Sequence, residues 1–452
     1  MILIATGGSL AIAACLAFAV RKHLRLAGPL TLIALAVAIG LTFATPADTT
    51  GDLLDLTLRL SSLGRLAALI LLATTLLLVV HVLIDEPAYN FFPTALAVAA
   101  CAYAVLALEA PLAICGVLIL GLLVPVGSFT FHVTENRSVE AATRHFSFVV
   151  LGGCLALSAL ALASGLPHDQ PAATFVLLVV ILVVAFALML AAIPFHTHAA
   201  LLASEAPAAA LGLYFGVLVP LTFIAFADIL TLSGLLPAIV QITKVQDLLL
   251  GIGLVSAVGG GVLALGATGL RRLVVYSVIA NLGAALVGIG TLSGPGIVGA
   301  LAITLATSAS ATQQLLAAGA LESRAGMDDP RARYAPLAAA AFVAGGIGMI
   351  GAPPLVGFPG RFFVELIAYQ YSGVAGTALV VSTLLLLAAQ LRASLALFSD
   401  PLDPFHIERR PVAGVIGGII FLGLLLGGLF PNGLLQPIAV FAERFLQALR
   451  PL

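Results

Sequence analysis

Residues able to carry charge are scarce in this chain, so each one inside an apolar run is a candidate for chemistry. His196 and His198 follow Pro194 in the stretch AAIPFHTHAALLASEAPAAA, with Glu205 just beyond, and Arg361 and Glu365 follow the prolines of GMIGAPPLVGFPGRFFVELIAY. Arg144 and His145 make a third pair, while Asn281, Gln313 and Gln314 add polar amides. Groups that gain and lose protons inside a bilayer suit the stepwise passage of an ion. They suit little else here, because no nucleophile with a base, phosphate loop or cofactor motif occurs. The four cysteines, Cys15, Cys101, Cys115 and Cys154, lie in apolar runs far from any C-x-x-C spacing and read as inert thiols. No iron–sulfur, haem or zinc ligand set is present, so neither a metal nor a cofactor is expected, and no catalytic site of the chain's own.

Each candidate also has an ordinary explanation. His196 and His198, two apart, point to different sides of a helix, which argues against a shared metal. Arg361 and Glu365 are one turn apart and can neutralise each other rather than relay. Gln313 and Gln314 can join neighbouring helices through their amides, and Arg271 and Arg272 read as anchors at the membrane edge. The glycine-rich VGGGVLALG near residues 258 to 266 reads as close helix packing, not as a nucleotide site.

The elements that must hold these residues are membrane helices. The chain is 62% hydrophobic and 9% charged, its mean hydropathy is +1.20, and apolar runs of about 20 residues recur along it. The breaks between runs predict fourteen spans, near residues 2–20, 29–43, 63–84, 92–108, 112–131, 142–164, 173–194, 207–226, 249–268, 273–292, 297–318, 336–352, 374–397 and 411–429. The fold class is therefore an all-α polytopic membrane protein with one domain over residues 1–452. The first run has no basic n-region and is expected to be a retained span. Ile229 to Leu248 and Leu434 to Leu449 mix apolar and charged residues and predict helices along the interface. Basic residues concentrate in the odd loops (Arg21, Lys22, Arg25, Arg137, Arg271, Arg272, Arg324, Arg331, Arg333, Arg409 and Arg410). That asymmetry predicts odd loops in the cytoplasm and both termini outside an inner cell membrane. A formal net charge of −1 and the lack of a basic aromatic-rich patch exclude nucleic acid as a partner.

Pro194 interrupts the seventh span, and Pro353, Pro354 and Pro359 interrupt the twelfth, five spans later. A proline removes a backbone donor and clashes with the preceding turn, so both helices break. Breaks in corresponding places predict two inverted five-helix repeats, 92–226 and 249–397, with an ion path at the breaks, followed by an interfacial helix over 434–449.

Together these stretches resemble the antiporter-like subunits of respiratory complex I, of Mrp-type sodium/proton antiporters and of energy-converting NiFe hydrogenases. PFHTH…SEAPAAA is similar to the family's stretch after its broken seventh helix, TGLRRLVVYSVIANLG to its motif entering the tenth, GAPPLVGFPGRF to its broken twelfth, and SVEAATRHF to the start of its sixth. The resemblance covers essentially the whole chain. It implies proton translocation along buried ionisable residues, with other antiporter-like and redox membrane-arm subunits as partners. It also marks departures. The fifth-helix glutamate position falls on Ile119 or Leu120, the seventh-helix lysine on Met189, the eighth-helix carrier on Leu218 or Val219, and the tenth-helix histidine on Asn281. Only the twelfth keeps a charge, Arg361, which stays protonated at ordinary pH. Losing both members of a buried ion pair is self-consistent, since removal of one alone strands a charge. The expected function is thus an antiporter-like subunit of a redox-driven proton or sodium pump with a degenerate or silent channel; a stand-alone or two-component transporter of ions or inorganic carbon is the alternative.

Overall fold

The computed structural model describes residues 1–53, 55–85, 88–129, 136–166, 172–237, 243–325, 335–398, 408 and 411–449. Helices dominate because a bilayer core offers no water to backbone N–H and C=O groups, so each apolar run must satisfy them internally. In chain order they are α1 (Ile2–Ala19), α2 (Leu24–Ala44), α3 (Ser62–Ile84), α4 (Phe91–Ala107), α5 (Pro111–Leu123), the short α6 (Val126–Phe129), α7 (Asn136–Gly165), α8 (Ala172–Met189), α9 (Thr197–Glu205), α10 (Ala208–Leu213) and α11 (Val219–Leu232). The second half contributes α12 (Thr243–Gly266), α13 (Leu270–Gly290), α14 (Gly294–Ala325), α15 (Pro336–Ile350), α16 (Gly357–Tyr371), α17 (Gly373–Leu397), α18 (Val412–Leu429) and α19 (Asn432–Ala448). Among the described residues, eleven helical stretches are long and apolar enough to cross a membrane, and α4, α8 and α15 are shorter apolar helices. Together they occupy the fourteen spans the sequence predicts. The chain is a multi-pass membrane protein.

Two features depart from expectation. A two-stranded antiparallel hairpin, β1 (Thr49–Leu53) and β2 (Leu56–Leu60), stands before α3 and pairs Thr49 with Leu60. Its signal is the alternation Leu56, Thr57, Leu58, Arg59, Leu60, which buries Leu58 and Leu60 on one face. The stretch Ile229 to Leu248 is not one interfacial helix: Ile229 and Leu230 are buried in the last turn of α11, and α12 already begins at Thr243. Residues 238–242 of that stretch lie outside the described residues, as do Arg331, Arg333, Arg409 and Arg410. The C-terminal helix α19 is present and turns Ile438, Phe441, Ala442 and Phe445 into the bundle, one stripe at helical spacing.

Helices α11, α13 and α14 fill the middle, nearly covered on all sides, while α1, α17 and α18 keep wide exposed faces. The glycine run of α12 lets it touch three neighbours. A Cβ on Gly259 would lie 2.6 Å from Ile193 Cδ1, one on Gly260 2.7 Å from Ala280 N, and one on Gly261 3.0 Å from Leu385 Cβ. Even-numbered loops gather at one end. There Arg59 pairs with Asp48 at 2.8 Å and with Glu109 at 3.5 Å, and Glu109 also meets Arg444 of α19 at 3.4 Å. Odd-numbered loops meet at the other end, where Arg271 bridges Glu322 at 2.5 Å and donates to Ala206 O at 2.8 Å.

Candidate functional site

Two interruptions of helix shape the interior. The first lies between α8 and α9. Ala191 takes a positive φ of 55°, and a cis peptide bond joins Ile193 to Pro194. The freed backbone is met from nearby: Ala192 N donates back to Ala187 O at 2.9 Å, and Ile193 N donates to Ser256 Oγ of α12 at 3.0 Å. The second lies between α15 and α16. Gly351 closes α15 in the left-handed region at φ 73°, a conformation that a side chain would strain. Pro353–Pro354 is again cis, and Val356 N donates to Leu424 O of α18 at 3.0 Å. Irregular backbone at membrane depth needs such partners from surrounding helices.

Beside the first break lies Met189, fully buried, the position that the resemblance aligns with the family's seventh-helix lysine. Its neighbour is α7, whose Gly152 leaves so little room that a Cβ would come within 2.9 Å of Met189 Cγ. Gly153 does the same toward Ile119 of α5, at 2.7 Å from Ile119 Cδ1. Ile119 and Met189 therefore flank one glycine pair. Leu120, the other alignment of the fifth-helix acid, is 60% exposed and points away from the bundle, which removes it as an interior position.

The protonatable groups nearest this break are imidazoles. His145 and His198 are fully buried with ring centroids 5.7 Å apart; Tyr214 meets His145 edge-on at 4.7 Å, and Phe148 stacks on His198 at 4.7 Å. His145 Nε2 lies 3.1 Å from Leu122 O and His198 Nδ1 3.0 Å from Phe195 O. A carbonyl only accepts, so each of those nitrogens carries the proton. His198 Nε2 then points its lone pair at no hydrogen-bond donor among the described residues. His196 turns elsewhere, toward Tyr276 at 6.4 Å. Tyr214 opens a π-helical turn, Tyr214–Leu218, that joins α10 to α11 and places Val219 fully inside.

At the second break the charged residues form a closed set. Arg361, from the first turns of α16, folds back over the C-terminal end of α15, its Nε 3.4 Å from the Cβ position of Gly351. A helix C-terminus carries partial negative charge and unpaired carbonyls, so a guanidinium is favoured there. Arg361 Nη2 donates to Asn281 Oδ1, and Asn281 Nδ2 donates to Met349 O at 2.9 Å and to Thr307 Oγ1 at 3.0 Å. Arg361 Nη1 donates to Thr383 Oγ1 at 2.6 Å, and that hydroxyl donates to Glu365 Oε1 at 2.6 Å. Arg361 and Glu365 themselves are 3.9 Å apart. A second amide set lies along the same helices: Gln314 Nε2 donates to Gln390 Oε1 at 2.9 Å and to Phe342 O at 3.1 Å, and Gln313 Nε2 donates to Ala341 O at 2.9 Å.

The structure thus brings together His145 with His198, and Arg361 with Glu365 and Asn281. It does not bring in Arg144, whose guanidinium is half exposed and pairs with Glu140 at 2.6 Å on the outer face of α7. Glu205 ends α9, partly buried, outside both clusters. Gln313 joins α14 to α15. Arg271 and Arg272 are more than edge anchors, because they clamp the end of α9 through Ala206 O and Ser204 Oγ. Tyr214, Thr383, Gln390 and Glu322 were not legible as site residues; each is a single polar residue in an apolar or amphipathic run, and only the packing shows its partner. Among the described residues no group of three or more His, Cys, Asp or Glu is placed to hold a metal.

Residues 145–386 match the family described as NADH:quinone oxidoreductase/Mrp antiporter, transmembrane. The NADH-quinone oxidoreductase subunit N of Laribacter hongkongensis is 30% identical over 305 residues, which are 63% of this chain and 60% of that protein. The subunit N of Desulfovibrio desulfuricans is 26% identical over 351 residues, 68% of each chain. Among solved structures, a chain of the Mrp complex from Dietzia sp. superposes with a TM-score of 0.84 at 17% identity, covering 99% of both chains. A chain of respiratory complex I from Thermus thermophilus superposes at 0.84 with 20% identity over all of both chains. A chain of the archaeal membrane-bound sulfane sulfur reductase superposes at 0.80 with 15% identity, over 99% of both. At these identities the superpositions establish the fold.

Proposed function

Because this chain belongs to the NADH:quinone oxidoreductase/Mrp antiporter transmembrane family, we propose that it is an antiporter-like subunit of a redox-driven, ion-translocating membrane arm whose own central path is silent. The observation that carries the reading is the pairing of two interrupted helices with a buried methionine at the first and an immobilised arginine at the second. The interruptions are the architecture of an ion path. A thioether cannot carry a proton, and a guanidinium that is never neutral cannot cycle one. His145 and His198 remain as a buried pair of protonatable rings in the first half. Residues 92–226 and 249–397 are the two inverted repeats, and 434–449 the interfacial helix.

The partners are other antiporter-like and redox subunits, as in the complexes to which the similar chains belong. Both termini lie on the non-cytoplasmic side, in keeping with the basic residues of the odd loops. A stand-alone transporter is not favoured, since the central carriers such an activity would need are replaced.

Purification from its own membrane in a mild detergent tests the assignment. Co-migration with redox subunits is the expected result. A chain that purifies alone and exchanges sodium, protons or bicarbonate in liposomes would overturn it.

A further inference from the structure

We propose that the groove between α1, α4 and the α5–α6 junction holds one anionic phospholipid, its acyl chain along the groove and its phosphate on Arg21. The cavity has a volume of about 520 Å³, with Ala14, Phe18, Pro93 and Ala97 among its walls and Arg21, Asn90 and Thr94 at one end. Its direction follows from the helices. α1 and α4 run antiparallel, with Gly7 beside Tyr103 and Arg21 beside Asn90. From Arg21 to Ala14, and from Asn90 to Ala97, is seven residues on each helix, so the trough runs about 10 Å into the apolar layer. Gly127 belongs to the lining, and a Cβ there would meet nothing within 4 Å.

The chemistry of the two ends identifies the occupant. The deep part is apolar and lies on an apolar outer surface, where Ile12, Leu16 and Phe18 of α1 are all more than half exposed. A transmembrane helix is about 10 Å across and does not fit so small a trough, whereas an acyl chain does. At the mouth, Arg21 Nη1 donates to Phe18 O at 3.0 Å and its guanidinium carbon lies 3.8 Å over the Phe18 ring. These contacts hold the side chain at the groove without neutralising it. Among the described residues no acidic residue lines the cavity, and Lys22 in the α1–α2 connection and Arg25 in the first turn of α2 follow Arg21 in the chain, so basic residues cluster at this end and suit phosphate. Asn90 Oδ1 is buried there with no partner among the described residues. A hydroxyl-bearing headgroup supplies the donor it lacks.

The test uses the purified protein, or the complex that contains it, in nanodiscs of equal phosphatidylglycerol and phosphatidylcholine. After transfer to mild detergent, retained lipid is counted by native mass spectrometry. The wild type is expected to retain one phosphatidylglycerol in preference to phosphatidylcholine. Arg21→Gln lowers that preference roughly tenfold, about 1.4 kcal/mol. Ala97→Phe, or the milder Ala14→Leu, fills the trough and releases the lipid with Arg21 in place, while Arg144→Gln on the outer face of α7 changes nothing. Equal retention by wild type and Arg21→Gln would overturn the proposal. So would unchanged retention in both groove-filled variants, or displacement of the lipid by inorganic phosphate alone, which would mark an ion site without an acyl-chain groove.

Discussion

A lysine at residue 189 would have nowhere to put its charge. Met189 is fully buried, α7 closes over it through Gly152, and Ile119 of α5 packs on the adjacent Gly153 of the same helix. An unpaired buried ammonium costs several kcal/mol, and an opposite charge within reach restores a part. Met189→Lys alone is therefore expected to destabilise the protein by about 3 kcal/mol, and Met189→Lys with Ile119→Glu by clearly less, as read from thermal unfolding in detergent. An equal loss in single and double variants would show that a carboxylate at residue 119 does not reach residue 189. At the second break, Arg361→Gln removes the charge from the end of α15 and leaves Asn281 and Thr383 short of a partner. Hydrogen bonds to a charged group are worth about 2 kcal/mol each, so its melting temperature should fall by several degrees. The alignment of Met189 was legible because it stands five residues before Pro194 of the broken helix. The choice between Ile119 and Leu120 was not, because one residue along a helix is a rotation of about 100°, and only packing decides which of the two faces inward.

Helix boundaries come from apolar runs and prolines, which is why all fourteen spans could be read from the chain. Elements without that signature could not. The hairpin before α3 is five residues per strand, too short to stand out beside apolar runs four times longer. The π turn Tyr214–Leu218 has an ordinary apolar sequence, and its cause is packing: a Cβ on Gly216 would fall 1.9 Å from Thr312 Oγ1, while Gly216 O accepts from Ser308 Oγ of the same helix α14. The widened turn lets backbone press directly on α14. Gly216→Ala should then cost about 2 kcal/mol through overpacking, and Gly216→Ala with Thr312→Ala should recover most of it, since the two sites share one contact. Thermal unfolding of the two variants checks this; a harmless Gly216→Ala would show that α11 and α14 are free to part.

For the molecule as a whole, the proposed function separates the discontinuous geometry from the carriers. The breaks have their backbone groups met by Ser256 and Leu424, with a buried thioether beside the first and an arginine held by hydrogen bonds and an ion pair at the second. Asn281, Thr383 and Glu365 make Arg361 a clamp between α13, α16 and α17. The fold was legible because a bilayer permits few solutions to backbone hydrogen bonding. The clamp was legible only in part, because Arg361 and Glu365 stand one turn apart in sequence whereas Thr383 reaches them from another helix. The most direct measurement is the number of ions moved per electron pair by the assembled complex in proteoliposomes, compared between wild type and the variants Glu365→Gln and His196→Gln, with assembly verified. The ratio is predicted to stay the same in both. A fall in the ratio, with the complex intact and electron transfer unchanged, would show a working path through this subunit.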